Sequence, residues 1–473
     1  INRNILISMI DSLNHRGPDS RNIVAINTNS CSIGLGHARL SILDLSTSAN
    51  QPMSFRHLTT IFNGEIYNFE EIKSELLQLG HHFKTNSDTE VLLHAFFEWE
   101  EKALHRFIGM FAFILIDSRN SKLIICRDRV GVKPLFRFWD GSTLIFGSEL
   151  KSFHKHPEFK ARINESKLLE YFKWGYISSP SSIFHNTVKI KPGTYEKWDL
   201  TNKSFETIQY WNPDEYYQSP KMNISYEEAK FELNELLINC VNYRLVSDVP
   251  VGVFLSGGFD SSIVTAILQK DRTKKLKTFT IGFEEGNNEA PYAAKIANFL
   301  DTDHNELICT TKETQDVIPK LADLYDEPFG DSSAIPTYLV SKLAKSKVKV
   351  ALSADGGDEL FAGYSAYNTF SNYLKILNRI PNKLYPFLAN SSDILYKGIP
   401  DTLSSFKHKL KGISNTLKSP YESHKIMLYQ SMKSTPDHIL KSSLTTYYNG
   451  HNSLDHFNLE SFESILLRDF KTY

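Results

Sequence analysis

The chain has 473 residues, too many for one hydrophobic core, which stops growing near ~250–300 residues, so at least two domains are expected. At 41% hydrophobic and 23% charged residues it falls outside the disordered, collagen-like and low-complexity classes. Lys+Arg 53 against Asp+Glu 54 leaves a formal net charge of -1, which offers nothing to a nucleic-acid partner. The longest apolar run, Phe107 to Ile116, is about half of the ~20 residues that a bilayer-spanning helix needs, so no membrane partner is expected. Four cysteines, Cys31, Cys126, Cys240 and Cys309, lie far apart without a CxxC pair. That pattern predicts reduced thiols, a cytoplasmic setting and no zinc site.

In chain order, the sequence opens at Ile1 with INRNILISMIDSLNHRG, the flank of a helix without signal-peptide character. Short β-type runs follow at Ile61–Phe62, Phe111–Ile116, Leu123–Cys126 and Leu144–Phe146, punctuated by Gly, Asn, Asp and Ser. Between them, Asn68 to Leu79 places Phe69, Ile72, Leu76 and Leu79 on one helical face. Ser87 and Glu90 have capping-box spacing ahead of another helix. Strands mixed with helices predict a layered α+β domain. From about Lys191 a polar, aromatic-rich stretch predicts a closing hairpin and a linker. Ser225 and Glu228 form a second capping-box pattern, followed by the apolar stripe Ala229, Leu233, Leu236, Leu237, Cys240 and Tyr243. Val251–Leu255, Thr278–Phe283 and Val348–Ser353 then alternate with helical stretches, predicting a doubly wound α/β parallel sheet. After Tyr364 the sequence is helical in character to Tyr473, and His81-His82 and the lysines of KLAKSKVK are expected to be solvated.

The sharpest motif is VPVGVFLSGGFDSSIVTAIL. A buried strand runs into Ser256-Gly257-Gly258, then Asp260-Ser261-Ser262, then a helix. Glycines let backbone N–H groups surround an anion, and the helix N-terminus adds its dipole. Asp260 is a poor partner for bare phosphate, so its natural role is to hold Mg²⁺ against one. The loop lacks the lysine and length of GxxxxGK[ST] and has the pyrophosphate-loop pattern of enzymes that cleave ATP to AMP and pyrophosphate. The ends of two other strands, near Gly282 and at Ser353, can meet it at a switch point. The second leads into Asp355-Gly356-Gly357-Asp358-Glu359, and Asp260, Asp355 and Asp358 together would suit Mg²⁺.

Four segments in the first half carry polar chemistry: His15-Arg16-Gly17-Pro18-Asp19, GLGHARLSILDLS around Arg39, FNGEIYNFEE at Asn63-Gly64-Glu65, and Ser87-Asp88. Each alone is compatible with a turn. Together they offer an arginine for a carboxylate, carboxylates for an ammonium and an Asn-Gly pair for an oxyanion, which is a kit for acyl transfer on an α-amino acid.

In the order HRGPDS, GHARLSILDLS, NGEIYN, SDTE, GMFAF, RDRVGVKPLF, SGGFDSS and DGGDELFAGY, the chain resembles glutamine-hydrolysing asparagine synthetases along essentially its whole length. The resemblance implies an α+β N-terminal-nucleophile glutaminase domain of αββα layers over residues 1–206 and a linker over 207–223. An α/β doubly wound parallel-sheet ATP-pyrophosphatase domain would occupy 224–473. It implies glutamine binding by Arg39, Leu40, Ser41, Ile42, Leu43, Asn63, Gly64, Glu65 and Asp88, with Asn63 and Gly64 as the oxyanion hole. ATP would meet Leu255, Ser256, Gly257, Gly258, Asp260, Ser261, Ile281, Ser353, Ala354, Asp358 and Tyr364. Asp355 would act in acyl-adenylate formation, and Asp260 and Asp358 would hold Mg²⁺. The implied substrates are glutamine, aspartate and ATP; homodimerisation is left open.

The family's nucleophile is an N-terminal cysteine, and no Cys precedes His15. The sequence is therefore expected to lack its first residues, and the family pattern continues beyond LLRDFKTY. Ala354 replaces the usual Gly. Two alternatives stand beside the aspartate reading: the same chemistry on a sugar carboxylate or another acceptor in surface-polysaccharide synthesis, and a truncated nucleotide-binding paralogue without turnover.

Overall fold

The computed structural model describes residues 2–399, save positions 29, 271, 287 and a scatter between 366 and 378, together with Leu417 and Leu466. The chain divides into two compact units, Ile1–Tyr171 with Gly175–Ala354, and Phe172–Trp174 with Asp355–Tyr473.

The larger unit begins with α1 (Arg3–Asp11), β1 (Ser20–Asn27), β2 (Ser32–Arg39), β3 (Met53–Phe55), β4 (Leu58–Ile66), α2 (Phe69–Gln78) and α3 (Asp88–Trp99). It continues through β5 (Gly109–Asp117), β6 (Lys122–Arg127), β7 (Phe136–Trp139), β8 (Leu144–Gly147) and α4 (Glu165–Trp174), whose last turn belongs to the smaller unit. β9 (Thr187–Lys189), β10 (Thr194–Asp199) and β11 (Ser204–Gln209) close this half.

A six-stranded antiparallel sheet runs β11-β10-β6-β5-β4-β3, and β5, one of its two central strands, accounts for most of the longest apolar run. Phe111, Phe113 and Leu115 enter one core with Ile72, Leu76, Leu92 and Phe96 of α2 and α3. Ala112, Ile114 and Ile116 enter a second core with Leu35 of β2 and Trp198 of β10. Successive side chains of a strand take opposite faces, so a strand buried on both sides is apolar throughout. Beyond the second core lie the β1–β2 hairpin and the β8-β7-β9 sheet. α1 covers β2 from outside, where a Cβ on Gly36 would lie 2.1 Å from Ile10 Cδ1. The layers are αββα. Each large side chain taken from water into these cores contributes roughly 1.5–3 kcal/mol.

The chain then passes through α5 (Pro213–Gln218) and α6 (Tyr226–Tyr243) to β12 (Val251–Phe254), α7 (Phe259–Gln269), β13 (Lys277–Phe283), α8 (Ala290–Phe299), β14 (Asp303–Cys309) and β15 (Val350–Leu352). These four strands make a parallel sheet in the order β14-β13-β12-β15. Val253 packs with Val241 of α6 and Leu268 of α7, and Leu255 packs with Ala293 and Ala297 of α8. Phe254 faces the opposite side, toward Phe279 and Ala344 of the helix Ala334–Lys345. Both faces are covered, as in a doubly wound sheet.

The two halves of this unit are joined by specific contacts. The Tyr243 hydroxyl donates to Glu71 Oε1 at 2.6 Å, Lys189 Nζ lies 2.7 Å from Glu327 Oε2, and Lys151 Nζ lies 3.2 Å from Asp326 Oδ1.

Three expectations change. The Ser225–Glu228 capping box forms, but Ser87 accepts from the N–H of Thr89, and the Glu90 carboxylate instead accepts from the backbone of Lys84 and Thr85. The preceding loop outcompetes the box. The α6 stripe is only partly covered: Leu233 and Leu236 are exposed and Ala229, Leu237, Cys240 and Tyr243 half-buried, while the buried residue of the helix is Val241, beside the stripe. His81 is packed, its Nδ1 2.8 Å from Nδ1 of His94. The lysines of KLAKSKVK are exposed, as expected, and Lys349 among them also pairs with Asp19.

In the smaller unit a short helix, Gly357–Phe361, precedes Tyr364, and the helix Tyr385–Gly398 agrees with the helical character expected after it. The rest of that expectation, to Tyr473, lies outside the described residues. Among the described residues no helix is long and apolar enough to cross a membrane. All four cysteines are free.

Candidate active site

The polar segments of the first half converge on one cavity of about 930 Å³, lined by Arg39, Leu40, Ile42, Leu43, Asn63, Gly64, Glu65 and Asp88. β4 delivers Asn63-Gly64-Glu65, with Gly64 opposite Phe111 of β5. Gly64 has φ +151°, and a Cβ there would sit 2.1 Å from the Met110 carbonyl oxygen, so only glycine fits. Asn63 Nδ2 reaches Ser148 Oγ at 3.4 Å. α3 delivers Asp88 in its first turn, where Oδ2 accepts the Ile66 N–H at 3.0 Å.

Glu65 and Asp88 are both buried. Burial, with the neighbouring Asp88 charge, pushes Glu65 up to about 7, although Lys133 opposes the shift. Burial likewise raises Asp88 to about 6 against the backbone N–H groups it accepts. Two carboxyls so arranged favour an arriving cation.

Arg39 ends β2 and is buried. Its Nη1 donates to Ser46 O at 2.9 Å and Asn50 Oδ1 at 2.8 Å, and its Nη2 to Leu43 O at 3.1 Å and Asp44 O at 2.5 Å. Four of the five guanidinium donors therefore shape the loop after β2. Ser41 is fixed from the other side, its N–H donating to Asp19 Oδ2 at 2.8 Å.

Several residues that the sequence did not single out support this wall. Asp128 is 1% exposed and accepts the N–H groups of Phe111, Val130, Val132 and Lys133, which fixes the RDRVGVKP turn. Lys133 lines the same cavity, its ammonium held below the usual lysine range by burial. Glu149 binds Arg16 Nη1 at 2.7 Å and Lys151 Nζ at 2.6 Å. Gln51 ties α3 to β4 by donating to Thr89 Oγ1 and accepting from Phe62 N. The only advance signal for Asp128 and Lys133 was their place in RDRVGVKPLF.

The second set gathers at the carboxyl ends of β12 and β15, which neighbour each other at the switch point of the sheet. Leu255 is buried, donates its N–H to Phe279 O at 2.9 Å and accepts from the Thr280 hydroxyl. Ser256 and Gly258 are exposed. Ser261 Oγ lies 3.0 Å from Ser256 Oγ and accepts Ser256 N at 3.2 Å, which curls the loop. Gly257 has φ +87°, and a Cβ there would come within 2.9 Å of Ala293 N. Gly258 caps α7 without a side-chain bond to its amides, leaving the helix N-terminus suited to an anion. Ser353 and Ala354 follow β15 directly, while Ile281 of β13 packs against Val317 and Leu339.

Asp355, Asp358 and Tyr364 belong to the smaller unit. There Asp358 O accepts the Gly363 N–H at 2.9 Å, and the Tyr364 hydroxyl donates to the buried Glu359 at 3.0 Å. No cluster of three metal-ligating side chains occurs among the described residues. Mg²⁺ is commonly held by one or two carboxylates plus substrate phosphates, and Asp260, in the first turn of α7 beside the loop, fits that role.

Residues 2–211 match the family model for a glutamine amidotransferase domain, and residues 232–473 match that for asparagine synthase. The chain is 38% identical over 381 residues to a putative glutamine-hydrolysing asparagine synthetase 2 of Methanocaldococcus jannaschii, covering 76% of this chain and 72% of that protein. It is 35% identical over 394 residues to asparagine synthetase [glutamine-hydrolyzing] 1 of Bacillus subtilis, covering 81% of this chain and 59% of the relative. A solved glutamine phosphoribosylpyrophosphate amidotransferase of B. subtilis aligns at 15% identity and TM-score 0.36, over 71% of this chain and 94% of that one.

A glutamine amidotransferase domain followed by an asparagine synthase domain defines the class of molecule. The chain belongs to the family of glutamine-hydrolysing asparagine synthetases.

Proposed function

We propose that the whole protein makes asparagine from aspartate in the cytoplasm, using ATP and glutamine-derived ammonia. Residues 1–206 serve as the glutaminase, 207–223 as linker and 224–473 as the synthetase. Glu65 and Asp88 receive the α-ammonium of glutamine, and Arg39 with the backbone of residues 40–43 forms the wall for its carboxylate. The N-terminal cysteine that the family pattern calls for attacks the side-chain amide. The Asn63 amide and Gly64 N–H stabilise the oxyanion, each donor contributing typically ~2.7–4 kcal/mol.

At the second site the aspartate β-carboxylate attacks the α-phosphorus of ATP, pyrophosphate leaves, and ammonia displaces AMP from the acyl-adenylate. Ser256, Gly257, Gly258 and Ser261 cradle the phosphates, and Leu255, Ile281, Ser353 and Ala354 line the nucleotide. Asp355 acts in adenylate formation. Asp260 would hold Mg²⁺, which when bound neutralises phosphate charge.

The observation that carries this reading is the reach of the cavity. It extends from Asn63, Gly64, Glu65 and Asp88 to Arg244, Lys349 and the backbone strand Val350–Leu352, a route for ammonia toward the strand that ends at the nucleotide loops. The test is pyrophosphate release from ATP by the full-length protein with aspartate and either glutamine or ammonia. Asparagine formed with both donors is the expected result. Release with a different carboxylate and none with aspartate would replace the acceptor, and no AMP or pyrophosphate with any acceptor would overturn the reading.

A further inference from the structure

The loop after β2 does more than line the glutamine cavity: it is fastened to the base of the parallel sheet at two points. Lys349 Nζ lies 2.9 Å from Asp19 Oδ2, the same oxygen that accepts the Ser41 N–H at 2.8 Å. Asp248 Oδ2 accepts the Asp44 N–H at 2.8 Å, and the Asp248 N–H donates to Ile42 O at 3.0 Å. Asp44 carries the connection onward. Its carbonyl accepts from Arg39, and its Oδ2 accepts the Asn86 N–H at 2.8 Å, two residues before Asp88.

On the other side, Lys349 directly precedes β15 and Asp248 stands shortly before β12. The strands are short, 4 residues for β12 and 3 for β15, or about 10–13 Å at the usual rise. They pair with each other in parallel, Val251 opposite Val350, so neither slides without the other. Their far ends open into Ser256–Gly258 and Ser353-Ala354. A shift of the nucleotide loop is thus transmitted along a stiff pair to the residues that hold the glutamine loop.

The Lys349–Asp19 side chains are 41% and 29% exposed. An ion pair that open adds little to stability. What its geometry does determine is where Ser41 sits relative to β15.

We infer that Lys349 and Asp248 are positioning residues that couple occupancy of the nucleotide loop to the arrangement of the glutamine loop. The inference rests on the two-site reading above. Coupling between sites is reciprocal, so glutamine tightens ATP binding by the factor with which ATP tightens glutamine.

The test uses the full-length protein, its Lys349→Met, Asp248→Ala and double variants, and Lys349→Arg, which keeps the ion pair. ATP binding is titrated directly. Backbone amide exchange over residues 40–46 and the glutamine KM are then measured with and without ATP and Mg²⁺. In the native protein and Lys349→Arg, ATP should slow that exchange and lower KM by at least about fivefold, whereas in the double variant both effects shrink to within about twofold. The inference is overturned if ATP binds the native protein without altering exchange over 40–46, or if the double variant keeps the full effect. Absence of ATP binding in the titration would overturn the nucleotide-loop reading itself, and the inference with it.

Discussion

Glu65→Gln separates the use of a buried carboxyl from its cost. In the fold Glu65 stands at about 7 against an ordinary 4.5, through burial and the facing Asp88. Between those two values the folded chain binds more protons at this site than the unfolded one, so stability falls as pH rises. Above pH 7 the fall is complete and amounts to roughly 3 kcal/mol. Glutamine in place of Glu65 carries no charge and removes this slope. The variant should match the native protein near pH 4 and be more stable by roughly 2–3 kcal/mol at pH 8.

Urea unfolding at the two pH values measures the effect as a difference between variant and native protein. The difference matters because the buried imidazoles of His37 and His94, pulled down to about 4, act in the opposite sense. Their stabilising contribution is present above the unfolded value of 6.5 and lost as pH falls through 4, and it cancels between the two proteins. The same substitution should raise the glutamine KM roughly 10- to 100-fold, since a charge-assisted bond to an ammonium is worth about 1.5–3 kcal/mol. Native glutamine affinity should also improve as pH rises through 6–7, when the pair ionises. If Glu65→Gln is destabilised at pH 8, or is stabilised equally at both pH values, the electrostatic account of this pair is wrong.

Asp128→Ala leaves the N–H groups of Phe111, Val130, Val132 and Lys133 without their acceptor, which should cost about 3–5 kcal/mol in urea unfolding. An unchanged unfolding midpoint would show that water replaces the carboxylate. Asn63→Ala should cut glutamine-dependent turnover ~10²–10³-fold while ammonia-dependent synthesis persists; equal loss with both donors would exclude an oxyanion role. Gly257→Val forces a side chain where a Cβ alone comes within 2.9 Å of Ala293 N at φ +87°, and it should abolish ATP binding in a titration while glutamine hydrolysis continues.

What the sequence made legible follows from how local each determinant is. β5 was visible because both its faces are buried and Phe111 through Ile116 must all be apolar. The Ser225–Glu228 box was visible because its partners are three residues apart and nothing else competes for them. β1 and β14 were not, since SRNIVAIN and DHNELIC are polar strands with much of their length exposed, and period-two patterning fails without a buried face. The Ser87 box failed for a tertiary reason, since Glu90 is nearer to the unpaired amides of Lys84 and Thr85 than any four-residue window can register.

The candidate site divides along the same line. Residue types such as Arg39, Glu65 and Asp88 announce charge in one dimension, but what each charge does depends on burial and on partners distant in the chain. Arg39 turns most of its donors to its own loop, and Glu65 acquires its raised protonation only inside the fold. Lys349 looked like one solvated lysine among several because its partner lies 330 residues away. Such a contact leaves no periodicity and no spacing to detect. It exists only in the fold, where β15 pairs with β12 and Asp19 lies against the loop after β2, so such residues are those whose sequence context says least about them.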